Sequence, residues 1–168
     1  MKSRFYPVFV SIGANLPSQN GCVALAGCNA AAEALRSIPG LRMQGLSHWY
    51  ETDAIPAGGP AYVNGVAWLE GSADPAWLLA RLQAIEARAG RVRPYPNAPR
   101  VLDLDIIAMG DLVRDAPDPV LPHPRADVRQ FVLEPLAELA PSWVHPLRHL
   151  SIGALLAALP PQGVRRLL

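Results

Sequence analysis

The sequence predicts an α+β fold of the ferredoxin-like, split βαβ class, with an antiparallel sheet, helices on one face and extra C-terminal helices. Three observations predict it. The elements follow the order strand, helix, strand, strand, helix, strand. Hydrophobic residues make up 51% of the 168 residues, so one domain over residues 1–168 is expected. Charged residues make up only 17%, which excludes intrinsic disorder. Such a fold leaves the other sheet face, or the loops above it, free to carry a site.

The first strand and helix are indicated by residue type and by the residues that end them. Phe5–Ile12 is rich in β-branched and aromatic residues, and Gly13–Pro17 follows it as a turn. Gly21–Ile38 is rich in alanine with larger apolar residues at helical spacing, and Pro39-Gly40 ends this helix. Leu41–Glu51 is then predicted to be one strand.

The central part of the chain is predicted to hold a loop, a strand and a helix. Thr52–Ala61 contains two prolines and two glycines, which indicates a loop. Tyr62–Glu70 has the residue types of a strand, and Gly65 within it suggests a β-bulge. A helix is expected over Asp74–Ala89, because aspartate followed by proline is typical of a helix start.

The last part of the chain alternates loops with regular elements. Arg91–Arg100 is rich in proline and is predicted to be a loop. Val101–Met109 follows as a strand. After a further loop over Asp115–Pro124, short helices are expected over Phe131–Leu139 and Leu150–Leu159.

The basic residues exclude several classes of phosphate-binding protein. Lys2 is the only lysine, and the other 14 of the 15 basic residues are arginines. A Walker A loop, a protein-kinase lysine and a Schiff-base lysine each need a lysine deep in the chain, so all three are excluded. The net charge is only +1, so neither nucleic acid nor a membrane surface is expected as a partner.

The expected compartment is the cytoplasm. The N-terminal residues lead into the first strand without the apolar stretch of a signal peptide, and no run has the length of a membrane span. Cys22 and Cys28 lack a CxxC pairing and are expected to be reduced thiols. His145 and His149 are expected to be surface histidines and not zinc ligands.

Asp103 and Asp105 form the most informative short motif. Side chains two residues apart in a strand point to the same face, so the two carboxylates are expected to lie side by side. Two like charges so close need compensation, and Mg²⁺ suits them because it is held by carboxylates together with substrate phosphates and water. The alternative is an exposed strand face on which both aspartates form salt bridges with arginines.

Basic residues cluster on both sides of this strand in the sequence. They are Arg91, Arg93 and Arg100 before it, and His123, Arg125 and Arg129 after it. A guanidinium group binds phosphate oxygens through two parallel hydrogen bonds, so the arginines suit a metal–polyphosphate complex. The alternative for any one of them is a solvated surface side chain.

Six segments, in this order and spacing, form a specific signature between about Val8 and Pro141. They are Ser11–Leu16 (SIGANL), Tyr50-Glu51-Thr52, Tyr62-Val63-Asn64, Gly90–Arg93 (GRVR), Pro99–Ile106 (PRVLDLDI) and Leu121–Pro141. Together they resemble the 6-hydroxymethyl-7,8-dihydropterin pyrophosphokinase family of folate biosynthesis. The resemblance implies an enzyme that transfers the pyrophosphoryl group of ATP to the hydroxymethyl oxygen of the pterin, giving AMP and the pterin diphosphate.

The resemblance also implies roles for the matching residues. Asp103 and Asp105 would bind two Mg²⁺ ions that bridge the ATP phosphates, with Arg91 and Arg100 completing the catalytic set. The residues implied to bind or lie close to ATP are Gln83, Glu86, Arg91, Arg93, Arg100, His123 and Arg129. The residues implied to bind the pterin are Tyr62 and Phe131 by stacking, Asn64 by hydrogen bonds, and the backbone around Thr52.

Each residue implied to bind the pterin could instead have a purely structural role, and the residue type favours that alternative to different degrees. Aromatic stacking and an amide suit a pterin, which has two apolar faces and a rim of donors and acceptors. Without the resemblance, Tyr62 and Phe131 would be read as core residues. Asn64 is unusual inside a strand and needs a hydrogen-bond partner there.

Other functions remain open at this point. One alternative is a nucleotidyltransferase, whose palm-type domain also carries carboxylates on a ferredoxin-like sheet. Another is a non-catalytic nucleotide- or pterin-binding protein, since Pro94–Pro99 carries no charge where relatives often have basic residues and a tryptophan. We expect a monomer in which the loops Thr52–Ala61 and Arg91–Arg100 close over the two substrates.

Overall fold

One antiparallel sheet organises the molecule. The computed structural model describes residues 5–15, 24–53, 61–89 and 102–167. The elements in these ranges are β1 (Tyr6–Ala14), α1 (Ala24–Leu35), β2 (Leu41–Leu46), β3 (Tyr50–Thr52), β4 (Tyr62–Gly71), α2 (Pro75–Arg88), β5 (Asp103–Met109), a 3-10 turn (Ala126–Val128), α3 (Gln130–Leu139), α4 (Ile152–Ala157) and β6 (Val164–Arg166). The strand order is β5-β1-β4-β3-β6, and β2 also pairs with β4. The predicted α+β class is confirmed.

The sheet has a hydrophobic core on each face. Successive residues of β1 point alternately into these two cores. Val10 and Ile12 lie in the core beneath α1 and α2, whereas Phe9 lies in the core beneath α3 and α4. The C-terminal helices therefore cover part of the face that we expected to be free. Apolar side chains such as Phe9 and Val66 explain this, since they must be buried on that face too.

The prediction of one strand over Leu41–Glu51 was wrong, because Ser47 interrupts it. The Ser47 hydroxyl accepts a hydrogen bond of 2.9 Å from the Val66 N–H and donates one of 2.7 Å to the His48 carbonyl. The Ser47 N–H donates to the Val66 carbonyl at 2.9 Å. These bonds replace regular strand pairing, so β2 ends at Leu46 and β3 begins at Tyr50.

Gly65 does not mark a bulge, so that prediction was also wrong. β4 keeps an unbroken register with β1 here, with Gly65 opposite Ile12. A Cβ at Gly65 would lie 2.6 Å from the ring of Trp49, so glycine makes room for the indole. The register shift of β1 lies between Phe9 and Val10, where β1 pairs with β5.

β6 was missed by the sequence analysis. It is only three residues long and pairs antiparallel with β3. The Arg165 guanidinium on this strand lies 2.7 Å from a carboxylate oxygen of Glu51 and 3.1 Å from one of Asp53. β6 therefore extends the sheet beyond β3.

His145 is buried, at 3% exposure, so the expectation of a surface histidine was wrong. Its Nδ1 accepts hydrogen bonds from the N–H groups of Leu147 and Arg148, at 3.2 and 3.0 Å. Burial lowers the pKa of His145. The His145 ring therefore stabilises the turn that follows it through these two bonds. The spacing of His145 and His149 in the sequence could not indicate this role.

Two further observations concern the cysteines and possible membrane spans. Cys28 is a buried free thiol whose pKa is raised to about 12 by burial, and Cys22 lies outside the described residues. In the described ranges, no helix combines the length and apolar character needed to cross a membrane.

Candidate active site

Asp103 and Asp105 lie on one face of β5, as strand alternation predicts. The intervening Leu104 and the following Ile106 point into the core beneath α1 and α2. The two aspartates therefore point to the opposite face, where both are partly buried. In the part of the chain that the structure describes, no group of three or more His, Cys, Asp or Glu side chains forms a metal cluster.

The register of the sheet connects Asp103 with the candidate pterin residues. Asp103 pairs with Gly13, Gly13 with Asn64, and Asn64 with Tyr50, which gives one row across four strands. With neighbouring strands about 4.8 Å apart, Asp103 and Asn64 are separated by roughly 10 Å. In the next row, Asp105 pairs with Ser11. The carboxylates and the amide therefore share one sheet face.

Gly13 allows Asn64 to lie over β1. A Cβ on Gly13 would approach Asn64 Oδ1 to 3.0 Å, which is closer than ordinary packing allows. Asn64 is 6% exposed, and its Nδ2 donates a 3.0 Å hydrogen bond to Thr52 Oγ1, which is also buried. This bond is the partner that asparagine inside a strand requires.

The candidate stacking residues lie on the same face. Tyr62 pairs with Thr52 in the β3–β4 ladder and is partly buried. Phe131 lies in the first turn of α3 and packs on the core that includes Phe9 and Val66. The Arg129 guanidinium carbon lies 5.6 Å from the centre of the Phe131 ring, a cation–π distance. Phe131 is therefore next to a candidate phosphate-binding residue.

His123 and Arg129 meet Asp105 at a small cavity. The main-chain N–H of His123 donates a 2.8 Å hydrogen bond to the Ile107 carbonyl. This bond holds the segment around His123 against β5. Burial, and then the charge of Arg129, lower the pKa of His123, against the opposing effect of Asp103. Its Nδ1 accepts from the Arg125 N–H at 3.1 Å, so the neutral ring carries its proton on Nε2.

The two predicted ATP residues of α2 differ in their surroundings. Gln83 is exposed. Glu86 is 2% exposed, and its carboxylate accepts a hydrogen bond of 3.0 Å from the N–H of Leu104. Glu86 therefore contacts the main chain between the two aspartates. A direct contact of either residue with ATP stays a prediction.

Several predicted site residues lie outside the described residues. These are Arg91, Arg93 and Arg100, together with most of the two loops that we expect to close over the substrates. Of the basic residues considered, the structure therefore describes His123, Arg125 and Arg129.

Two site positions were missed by the sequence reasoning. Ser11 and Gly13 lie opposite Asp105 and Asp103 and share their face. Alternation along β1 was the available signal, since a serine and a glycine interrupt its apolar residues on one face. Their neighbours could not be predicted, because strand register is set by contacts distant in sequence.

The fold and this face are typical of an α+β transferase that brings a polyphosphate next to a second, flat substrate. Comparison with known proteins gives the particular family. The chain belongs to the 7,8-dihydro-6-hydroxymethylpterin-pyrophosphokinase (HPPK) family, whose model matches residues 9–141. This confirms the resemblance, and with it the activity: pyrophosphoryl transfer from ATP to hydroxymethyldihydropterin in folate synthesis.

Individual relatives agree with this assignment. A 2-amino-4-hydroxy-6-hydroxymethyldihydropteridine pyrophosphokinase of Pseudomonas aeruginosa is 42% identical over 162 residues, covering 95% of this chain and 96% of the relative. The protein of the same name from Synechocystis is 42% identical over 112 residues, or 67% of this chain and 57% of the relative. The folic acid synthesis protein fol1 of Schizosaccharomyces pombe is 37% identical over 136 residues, or 80% of this chain but 19% of the relative.

A solved structure shows the same fold. Plasmodium falciparum HPPK-DHPS has a TM-score of 0.71 with 12% sequence identity, and the match covers 93% of this chain and 46% of that one. At this identity the likeness concerns the fold alone.

Proposed function

We propose that the chain performs this transfer, as one domain and as a monomer, on the sheet face that carries Asp103, Asp105 and Asn64. The shared row of Asp103, Gly13 and Asn64 is the observation that carries the proposal. This row contains the Asp103 carboxylate and the buried Asn64 amide, and Asp105 lies in the next row. The carboxylates would serve the polyphosphate and the amide the pterin. The two substrates would then meet above β1.

The phosphate side of the site is formed by β5 and the loop after it. Asp105, His123 and Arg129 line one cavity there. A guanidinium group and a neutral imidazole N–H can both donate to phosphate oxygens. Arg91, Arg93 and Arg100 are proposed to complete this set from the loop before β5.

The two carboxylates fit Mg²⁺ as the metal. They share a face, and this hard ion needs only one or two carboxylates when phosphates and water supply its other ligands. When bound, two Mg²⁺ ions would neutralise the charge on the phosphate oxygens at both ends of the displacement. Asp103 and Asp105 would hold them.

The pterin side is formed by β3, β4 and the start of α3. Asn64 would hydrogen-bond to the polar rim of the pterin, because an amide both donates and accepts. Its bond to Thr52 fixes which way the amide points. Tyr62 and Phe131 would stack on the two faces of the ring.

The protein forms no covalent bond with either substrate in this reaction; its role is to align the reacting oxygens of the two substrates. The hydroxymethyl oxygen bonds to the β-phosphorus of ATP, the bond from that phosphorus to the α,β-bridging oxygen breaks, and AMP leaves. The alcohol proton passes to solvent. The site residues hold the attacking and leaving oxygens in line, and we assign His123 to a phosphate contact and not to general base catalysis.

The test is formation of AMP from ATP by the purified chain with Mg²⁺. AMP should form when 6-hydroxymethyl-7,8-dihydropterin is present, and not with 6-methyl-7,8-dihydropterin, which lacks the attacking hydroxyl. Release of pyrophosphate would indicate a nucleotidyltransferase instead. Binding of both substrates without AMP would indicate a protein that has lost turnover.

A further inference from the structure

Glu138, near the C-terminal end of α3, joins this helix to β3. Its Oε1 accepts a 2.9 Å hydrogen bond from the Tyr50 hydroxyl. Its Oε2 accepts bonds of 2.9 Å from the His48 N–H and 2.8 Å from His48 Nδ1. The Glu138 carboxylate thus binds Tyr50, the first residue of β3, and His48, which precedes β3 by two residues.

The break in the strand makes this contact available. Because Ser47 pairs with Val66 through its side chain, the chain leaves regular sheet pairing at His48. The His48 N–H then points to α3, where Glu138 accepts it. The interruption that the sequence did not predict therefore supplies one of the donors.

The ionisation of these groups keeps the contact in place at neutral pH. Burial and then the hydrogen bond to Glu138 raise the pKa of Tyr50 to about 12, so its hydroxyl stays protonated and donates. Burial acts to raise the pKa of Glu138, but the hydrogen bonds from His48 and Tyr50 outweigh it, and the pKa is lowered. The carboxylate therefore stays charged and accepts.

Both elements that Glu138 joins carry candidate pterin residues. Phe131 lies seven residues before Glu138, so the two share a face of α3. Tyr50 pairs with Asn64, and two residues further along β3 Thr52 pairs with Tyr62. The link from Glu138 to Tyr50 therefore connects the side of the site with Phe131 to the side with Asn64 and Tyr62.

We propose that Glu138 is a positioning residue for the pterin half of the site, acting through Tyr50 and the His48 main chain. The proposal rests on the proposed function, because it assigns the pterin to the space between Phe131 and the β3–β4 ladder. Glu138 fixes the separation of these two surfaces. Stacking on both faces of a flat ring depends on that separation. On the phosphate side, Asp103 and Asp105 belong to β5 and the main-chain N–H of His123 is bonded to the Ile107 carbonyl, so only Arg129 of the described phosphate residues lies next to α3.

The test is the KM of each substrate in Glu138→Ala and Tyr50→Phe. Both variants should raise the KM for the pterin by about fivefold or more and leave the KM for ATP within about twofold. Glu138→Gln keeps one acceptor oxygen and should recover part of the loss. Glu134→Gln is the matched control on the same helix. The Glu134 carboxylate accepts a 3.3 Å hydrogen bond from Gln130 Nε2, which the amide oxygen of glutamine can still accept, and the variant should change neither KM.

The outcomes separate this proposal from the proposed function. If the wild-type chain forms AMP but the variants raise both KM values equally or neither, the positioning role is wrong and the activity stands. If the wild-type chain forms no AMP with the pterin, the proposed function itself fails. Should Glu138→Ala not fold, Tyr50→Phe still decides the question, because it removes only one hydroxyl.

Discussion

The carboxylate of Glu86 accepts a 3.0 Å hydrogen bond from the N–H of Leu104, the residue that separates Asp103 from Asp105. In the part of the chain that the structure describes, β5 is an edge strand of the sheet, and no strand there pairs with the outward N–H of Leu104. Both Glu86 and Leu104 are buried, which makes an unpaired N–H costly. Glu86 therefore stabilises the backbone that carries both candidate metal ligands.

Removing this acceptor should weaken both the fold and the phosphate side of the site. Glu86→Ala leaves the Leu104 N–H buried without this partner, which should lower the free energy of unfolding by about 1–3 kcal/mol. It should also raise the Mg²⁺ concentration at which ATP stabilises the protein. Urea unfolding and thermal shift with Mg²⁺ and ATP measure the two effects. Glu86→Gln, which keeps an acceptor, should lose less stability, and equal stability of wild type and Glu86→Ala would contradict the account.

A methyl group at Gly13 should disturb the pterin side specifically. In Gly13→Ala the new Cβ would lie 3.0 Å from Asn64 Oδ1, so the amide must shift. We expect pterin affinity to fall about tenfold, or about 1.4 kcal/mol, with ATP affinity unchanged. Calorimetric titration with the pterin and a non-hydrolysable ATP analogue measures this.

Gly27→Ala is the matched control for this substitution. A Cβ at Gly27 of α1 would meet nothing within 4 Å, so the variant should gain about 0.5–1 kcal/mol of stability and bind the pterin normally. Pterin affinity equal in Gly13→Ala and Gly27→Ala would argue against Asn64 as a pterin ligand.

His145 should make the fold less stable in mild acid. Burial lowers its pKa in the folded chain, so the unfolded chain takes up a proton first. The contribution to stability is complete above about pH 6.5, the ordinary histidine value, and is lost as the pH falls through the folded pKa. His145→Asn keeps an acceptor for the Leu147 and Arg148 N–H groups but does not titrate.

The measurement is the unfolding free energy at about pH 7.5 and about pH 5.5. The wild type should lose more stability between these values than His145→Asn does. His123, whose pKa is also lowered, is present in both proteins and does not affect the comparison. Identical losses would show that the burial of His145 has no energetic role.

The sequence predicted those parts of the fold that depend on neighbouring residues. Alternation placed Asp103 and Asp105 on one face, and Asp74 marked the start of α2, where its carboxylate accepts from the Trp77 N–H at 3.0 Å. The errors arose from partners distant in sequence. Ser47 ends a strand through its bonds to Val66, and Gly65 is explained by the ring of Trp49.

The site shows the same division. Residue types and alternation predicted the carboxylate pair on β5, but the row that connects it to Asn64 required the register of three strands. Glu138 could not be found from sequence, because its contacts with His48 and Tyr50 span about ninety residues. They also depend on the break between β2 and β3, which the sequence did not predict.

AMP formation by Asp103→Asn and Asp105→Asn over a range of Mg²⁺ concentrations tests the central claim most directly. Each variant keeps the size of the side chain but loses the charge, and the rate with the pterin should fall on the order of a hundredfold or more. Asp111→Asn, an exposed carboxylate in the turn after β5, is the control and should keep the wild-type rate. Near wild-type rates and an unchanged Mg²⁺ dependence in Asp103→Asn and Asp105→Asn would show that this pair does not hold the metal.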